Sequence, residues 1–173
     1  MYEQIEFVVE DGTGLSNATS FCSLDFADTF LTLGGKRLEW MIMPTTSREE
    51  FLIQASYLLD EQYKWKGQRT VSTSGLRWPR SGVRDRDGIP FDQNEIPLSL
   101  QKATAVLAYH LSRGFELQGT PGAGLTRLRV DVIDLRFDHK TAEHPFPAEI
   151  RSLLGEIGTL PTGRKRFIQS EIY

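Results

Sequence analysis

The apolar positions of "SREEFLIQASYLLDEQY" recur three and four residues apart, so that Phe51, Leu52, Ala55, Leu58, Leu59 and Tyr63 share one stripe. The spacing predicts a helix over 46–65, capped by Thr46 or Ser47. Glu49 and Glu50 stand in its first turn, Lys64 and Lys66 at its other end, and Gly67 stops it. The same rhythm predicts three more helices. One follows Ser23 as cap, with Leu24, Ala27, Phe30 and Leu31 on one face and Gly34-Gly35 as the stop. Trp40 then falls in a connector. Another follows Pro97, carries Leu100, Ala103, Leu107 and Leu111, and stops at Gly114. A short one, "FPAEIRSLLGEIG", begins near Pro147 and sets Ile150, Leu153, Leu154 and Ile157 on one side. Two stretches read as strands: Ile5–Val9, ended by a turn at Asp11-Gly12, and 128–137. In the second, Leu128, Val130 and Val132 alternate with Arg129, Asp131 and Asp134. Residues 112–127 are rich in Gly and polar groups and read as an exposed loop.

One stretch obeys neither rhythm. "GLRWPRSGVRDRDGIPFDQNEIP", residues 75–97, holds a Trp-Pro pair, two glycine turns and a run of charge. Lys64, Lys66, Arg69, Arg77, Arg80, Arg84 and Arg86 face only Asp85 within residues 64–86. Such a strip can meet nucleic-acid phosphates or an acidic groove on a neighbouring subunit. It can equally be a solvated face, with Trp78 folded inward as an anchor and Pro79 stiffening the segment.

Composition narrows the classes. A length of 173 residues fits one domain with one modest core. The net charge of −3 makes the whole molecule no general polyanion binder, so a nucleic-acid contact must come from a local patch. No run approaches the length of a membrane span, and the acidic N-terminus has no secretory pattern. The single cysteine, Cys22, cannot form an internal disulfide, which fits a reducing compartment and a buried thiol.

Catalytic and metal signals are weak. "GTPGAG" at 119–124 lacks the Lys-Ser/Thr pair of a phosphate loop. His110, His139 and His144 are too scattered for zinc. Asp85 and Asp87 flank a turn, but Pro90 and Phe91 break the calcium-loop pattern. No nucleophile–base ordering stands out. The expectation is a non-enzyme with no cofactor and no metal.

The order of features, and above all Leu76, Trp78, Pro79, Arg80, Gly82, Asp85, Asp87, Gly88, Ile96 and Pro97 ahead of a helix, resembles the head–tail adaptor proteins of tailed bacteriophages. Some members of that group carry a single-stranded-DNA-binding label through likeness to a primosomal domain. The resemblance covers roughly residues 15–155. It implies a mainly α fold: a small antiparallel helical bundle with a long extended loop or β-hairpin arm and a short strand pair. One domain would span 1–158, with the arm at 66–97 and a tail at 159–173.

The resemblance further implies a structural virion protein, assembled in the host cytoplasm. It would form a twelvefold ring at the head–tail neck and extend the DNA channel. Its partners would be the portal protein, a tail or stopper protein, its own copies, and packaged double-stranded DNA held without sequence specificity. Leu76, Trp78, Pro79 and Arg80 would grip the next subunit. Lys64, Lys66, Arg69, Arg84 and Arg86 would line the channel. Ile150, Leu153, Leu154, Arg164, Lys165, Arg166, Phe167 and Ile168 would dock the portal.

The alternative is a single-stranded-DNA-binding module using Arg77, Trp78 and Arg80. Against it, that class exposes several aromatics among its basic residues, and the loop offers only Trp78 and Phe91.

Overall fold

The computed structural model describes residues 5–116 and 145–161. Five helices pack together: α1 (Leu24–Leu33), α2 (Arg37–Met41), α3 (Thr45–Gln62), α4 (Leu98–Ser112) and α5 (Ala148–Leu154). Two small antiparallel strand pairs complete the fold. β1 (Lys64–Trp65) pairs with β4 (Gly158–Thr159), and β2 (Gln68–Arg69) with β3 (Arg80–Ser81). The mainly α architecture with a hairpin arm is therefore present. β4 straddles residue 158, where the sequence reading ended the body of the protein.

α4 is the centre of the bundle and packs against α1, α3 and α5. Its residues Ala103, Thr104, Ala105, Val106, Leu107 and Ala108 are buried on every side, not along one stripe. Their small side chains let three neighbours approach, and a helix apolar all round is an interior helix. Thr104 hides its hydroxyl by donating to Leu100 O at 2.9 Å.

α1 begins as its cap predicts, with Ser23 Oγ accepting from Phe26 N at 3.2 Å. It ends at Gly34, and the left-handed Gly35 (φ +76°) turns the chain away. α3 departs from its prediction at both ends. It starts after Pro44, without a side-chain cap from Thr46 or Ser47. It stops at Gln62 because the next residues are drawn into the β1–β4 pair, which leaves Lys64 and Lys66 outside the helix. Trp40 lies in α2, fully buried, and donates its Nε1–H to Asp28 at 2.6 Å. The other Asp28 oxygen holds Arg48 at 2.6 Å, so a charged pair lies under α2 where periodicity gave only a connector.

The first predicted strand reduces to one parallel bridge, Val9 to Ser20. Glu10 closes the turn behind it by accepting from the backbone N–H groups of Gly12, Gly14 and Leu15. The second predicted strand, within 128–137, lies outside the described residues, as do His139 and His144.

Candidate nucleic-acid interface

The arm folds back on its own body. Trp78 is fully buried, Leu76, Pro79, Val83 and Ile96 are buried with it, and the Trp78–Pro79 peptide is cis. The Trp78 ring meets Trp65 edge-on at 6.1 Å, Trp65 meets Phe21 edge-on at 6.4 Å, and Tyr63 stacks on Trp65 at 5.3 Å. Edge-to-face and offset contacts at these separations are the favourable aromatic geometries. Leu76, Trp78 and Pro79 are thus not surfaces for a neighbouring subunit. Each large apolar group meets its partner within the same chain. The burial equally removes Trp78 as a stacking platform for a base.

With the aromatics inside, the arm presents charge. Arg80 braces the hairpin, donating from Nε to Lys66 O at 2.6 Å, from Nη2 to Gly67 O at 2.7 Å and from Nη1 to Arg77 O at 3.1 Å. Arg69 Nη2 donates to Ser74 O at 2.5 Å and Leu76 O at 3.3 Å. The planar guanidinium fork suits such multiple bonding. All these acceptors are neutral carbonyls, so the bonds fix both side chains without cancelling their charge. Burial first, then the Arg69 charge, holds Arg80 below the ordinary arginine range; Arg77 adds to this and Asp60 opposes it.

Asp60, at the end of α3, is the acid beneath the three arginines. It is 9% exposed and accepts from Trp65 Nε1 at 2.9 Å and from Arg77 N at 3.1 and 3.2 Å. Burial pushes its carboxyl above the ordinary value, although these bonds and the charges of Arg77 and Arg69 pull it down. Sequence reasoning missed Asp60. It sits one residue after Leu59 at the edge of the apolar stripe, where periodicity cannot tell a buried acid from a solvated one.

The rest of the strip divides. Lys66 Nζ donates to Glu156 O at 2.8 Å, placing a cation at the C-terminal end of α5. At the arm's tip, Arg84 donates to Gly88 O at 2.6 Å, and Arg86 is neutralised by Glu156 at 2.6 Å. Lys64 and Arg77 are exposed, and their charged heads form no hydrogen bond or ion pair among the described residues. Around Arg69, Arg77 and Arg80 the strip therefore keeps a net positive charge over the single buried Asp60, and it is partly cancelled at the tip.

The expected docking face is interior: Ile150 and Leu154 are fully buried and Leu153 is half-buried, because a seven-residue helix is stable only when packed and α4 supplies the surface. Arg164, Lys165, Arg166, Phe167 and Ile168 lie outside the described residues. A cavity of about 270 Å³ opens elsewhere, beside Val9 and Gln101. It is lined by Glu10, Asp11 and Glu95, the wrong sign for a phosphate. Among the described residues no group of three or more His, Cys, Asp or Glu could hold a metal ion, and no helix is long and apolar enough to cross a membrane.

Fold and surface together define a small helical module with a braced, positively charged arm. Residues 5–172 match the family described as "Putative DnaT-like ssDNA binding protein", and the chain belongs to that family. The family's description names binding to single-stranded DNA. Comparisons with curated proteins and with solved structures find no match. The family match overturns the adaptor assignment. The portal, the tail or stopper protein, the ring of copies, packaged double-stranded DNA and the virion neck all derived from that resemblance, and they fall with it.

Proposed function

We propose that the protein binds single-stranded DNA inside the cell, through the arm surface formed by Lys64, Lys66, Arg69, Arg77 and Arg80. One observation supports this reading beyond the family match. Arg69 and Arg80 are fixed by neutral carbonyls, so their charge is pre-positioned without a direct ion-pair partner among the described residues. A flexible basic segment would lose side-chain freedom on meeting a phosphate, whereas a braced guanidinium has already lost it. Trp78 plays no stacking part. Contact is mainly to the sugar–phosphate backbone, and base selectivity is low. Among the aromatic side chains of the helices, Tyr57 on α3 is 60% exposed and is the candidate for any stacking contact.

The test is fluorescence anisotropy of a labelled oligo(dT) at low salt, about 50 mM. The double variant Lys64→Ala/Arg77→Ala should bind about tenfold more weakly, with an unchanged circular dichroism spectrum, because neither side chain braces the fold. Equal affinity of variant and parent would remove the arm from the interface.

A further inference from the structure

Resting on that reading, we infer that Asp60 is the built-in counter-ion of the DNA-binding surface, and that single-stranded DNA binds with uptake of a proton at its carboxylate. The geometry carries this. The carboxylate is held at the end of α3 by Trp65 Nε1 and by the backbone N–H of Arg77, the residue that presents a free guanidinium to solvent. Trp65 of β1 bonds it directly. The charges that act on it from β2, β3 and the intervening loop are those of Arg69, Arg80 and Arg77. The first two are anchored on the carbonyls of Leu76 and Arg77, which flank the Arg77 N–H it accepts. In the free protein, one buried negative charge offsets three crowded positive ones.

A phosphate arriving on the same arginines competes for that role. Like charges close together disfavour joint ionisation, so a bound phosphate makes Asp60 easier to protonate. By linkage, protonated Asp60 makes the surface more attractive to phosphate. Burial already holds the Asp60 carboxyl above its ordinary value, so its protonated form is easier to reach than that of an exposed aspartate. The step is a proton transfer from solvent to one Asp60 oxygen, with no other bond made or broken. Asp60 is thus a positioning residue through Arg77 N and a regulator through its charge.

The inference separates from a merely structural role. Asp60→Asn keeps an oxygen acceptor for Trp65 and Arg77 but removes the charge. Oligo(dT) is the probe, because thymine does not protonate in mild acid. Wild-type affinity should rise as pH falls below neutrality. Asp60→Asn should bind about threefold or more tighter than wild type near pH 7.5, as expected for one unit charge removed nearby, and its pH slope should be reduced. Calorimetry of the wild-type protein in two buffers of different ionisation heat, near pH 5, should show net proton uptake on binding. Because burial holds His110 below the ordinary histidine value, the same uptake should persist when His110, His139 and His144 are replaced by asparagine. The wild-type measurement stands even if Asp60→Asn fails to fold. Binding without proton uptake, or a pH slope unchanged in Asp60→Asn, overturns the inference and leaves the DNA reading intact. Absence of any oligo(dT) binding overturns both.

Discussion

Trp78 shows how one residue decides which kind of surface the arm offers. Its ring is enclosed by the protein's own Trp65, and Ser74 Oγ and the Asp60–Arg77 contact pin the backbone on either side of it. Among the described residues its Nε1–H has no partner, and the indole fills the core by its bulk. Truncation to alanine therefore opens a cavity beneath the whole arm. Trp78→Ala should destabilise the protein by about 3–5 kcal/mol, the range for a buried large aromatic. Urea unfolding followed by circular dichroism measures this. A loss below about 1 kcal/mol would mean that the arm docks only loosely on the body. The sequence allowed both an inward and an outward Trp78, because a Trp-Pro pair in a charged loop reads the same in either case. Only the packing of Trp65, which follows α3, decides between them.

Among the elements, those with a strong local signal were legible. Ser23, Gly34-Gly35, Pro97 and Pro147 bound α1, α4 and α5 close to where their chemistry predicts. What periodicity could not supply were elements set by distant partners. α2 is five residues long and forms because Trp40 is drawn towards Asp28. The end of α3 is set by β4, some ninety residues later in the chain. The candidate site was half legible: its basic residues were visible as a strip, but the bracing carbonyls and Asp60 were not. The turn between β1 and β2 shows the same dependence. Gly67 has φ +68°, and a Cβ there would lie 2.2 Å from Ser81 O on the facing strand. Gly82 has φ +75° but open space around it. Gly67→Ala should therefore cost more than Gly82→Ala, which pays only the left-handed strain of about 1 kcal/mol. Because Gly67 O also accepts from Arg80, the first variant should weaken oligo(dT) binding as well. Thermal melts and anisotropy of the pair check this. Equal effects would show that the hairpin shifts freely and that the brace is dispensable.

At the scale of the whole molecule, the protein is acidic overall yet carries a positively charged surface on one arm. Long-range attraction to DNA is then small, and affinity must come from contacts within a Debye length, about 10 Å at 0.1 M salt. Lys64 and Arg77 have unbonded heads among the described residues, and Arg69 and Arg80 are braced by carbonyls and offset only by the buried Asp60. Arg86 is already paired with Glu156 and contributes little. About three to five phosphates can be neutralised on this count. For single strands the logarithm of affinity falls with the logarithm of salt at about 0.7 per neutralised phosphate, so the slope should lie between about −2 and −3.5. Arg77→Ala should make it shallower by roughly 0.7, while Arg86→Ala should leave it nearly unchanged. The buried aromatics add a second expectation: oligo(dT) and oligo(dA) should bind within a few-fold of each other, since stacking on Trp78 is closed off. Anisotropy titrations over a salt series with both oligonucleotides measure slope and base preference together. A slope near zero with a strong preference for one base would show that stacking carries the affinity, and the search for the contact would move from the arm to Tyr57 on α3.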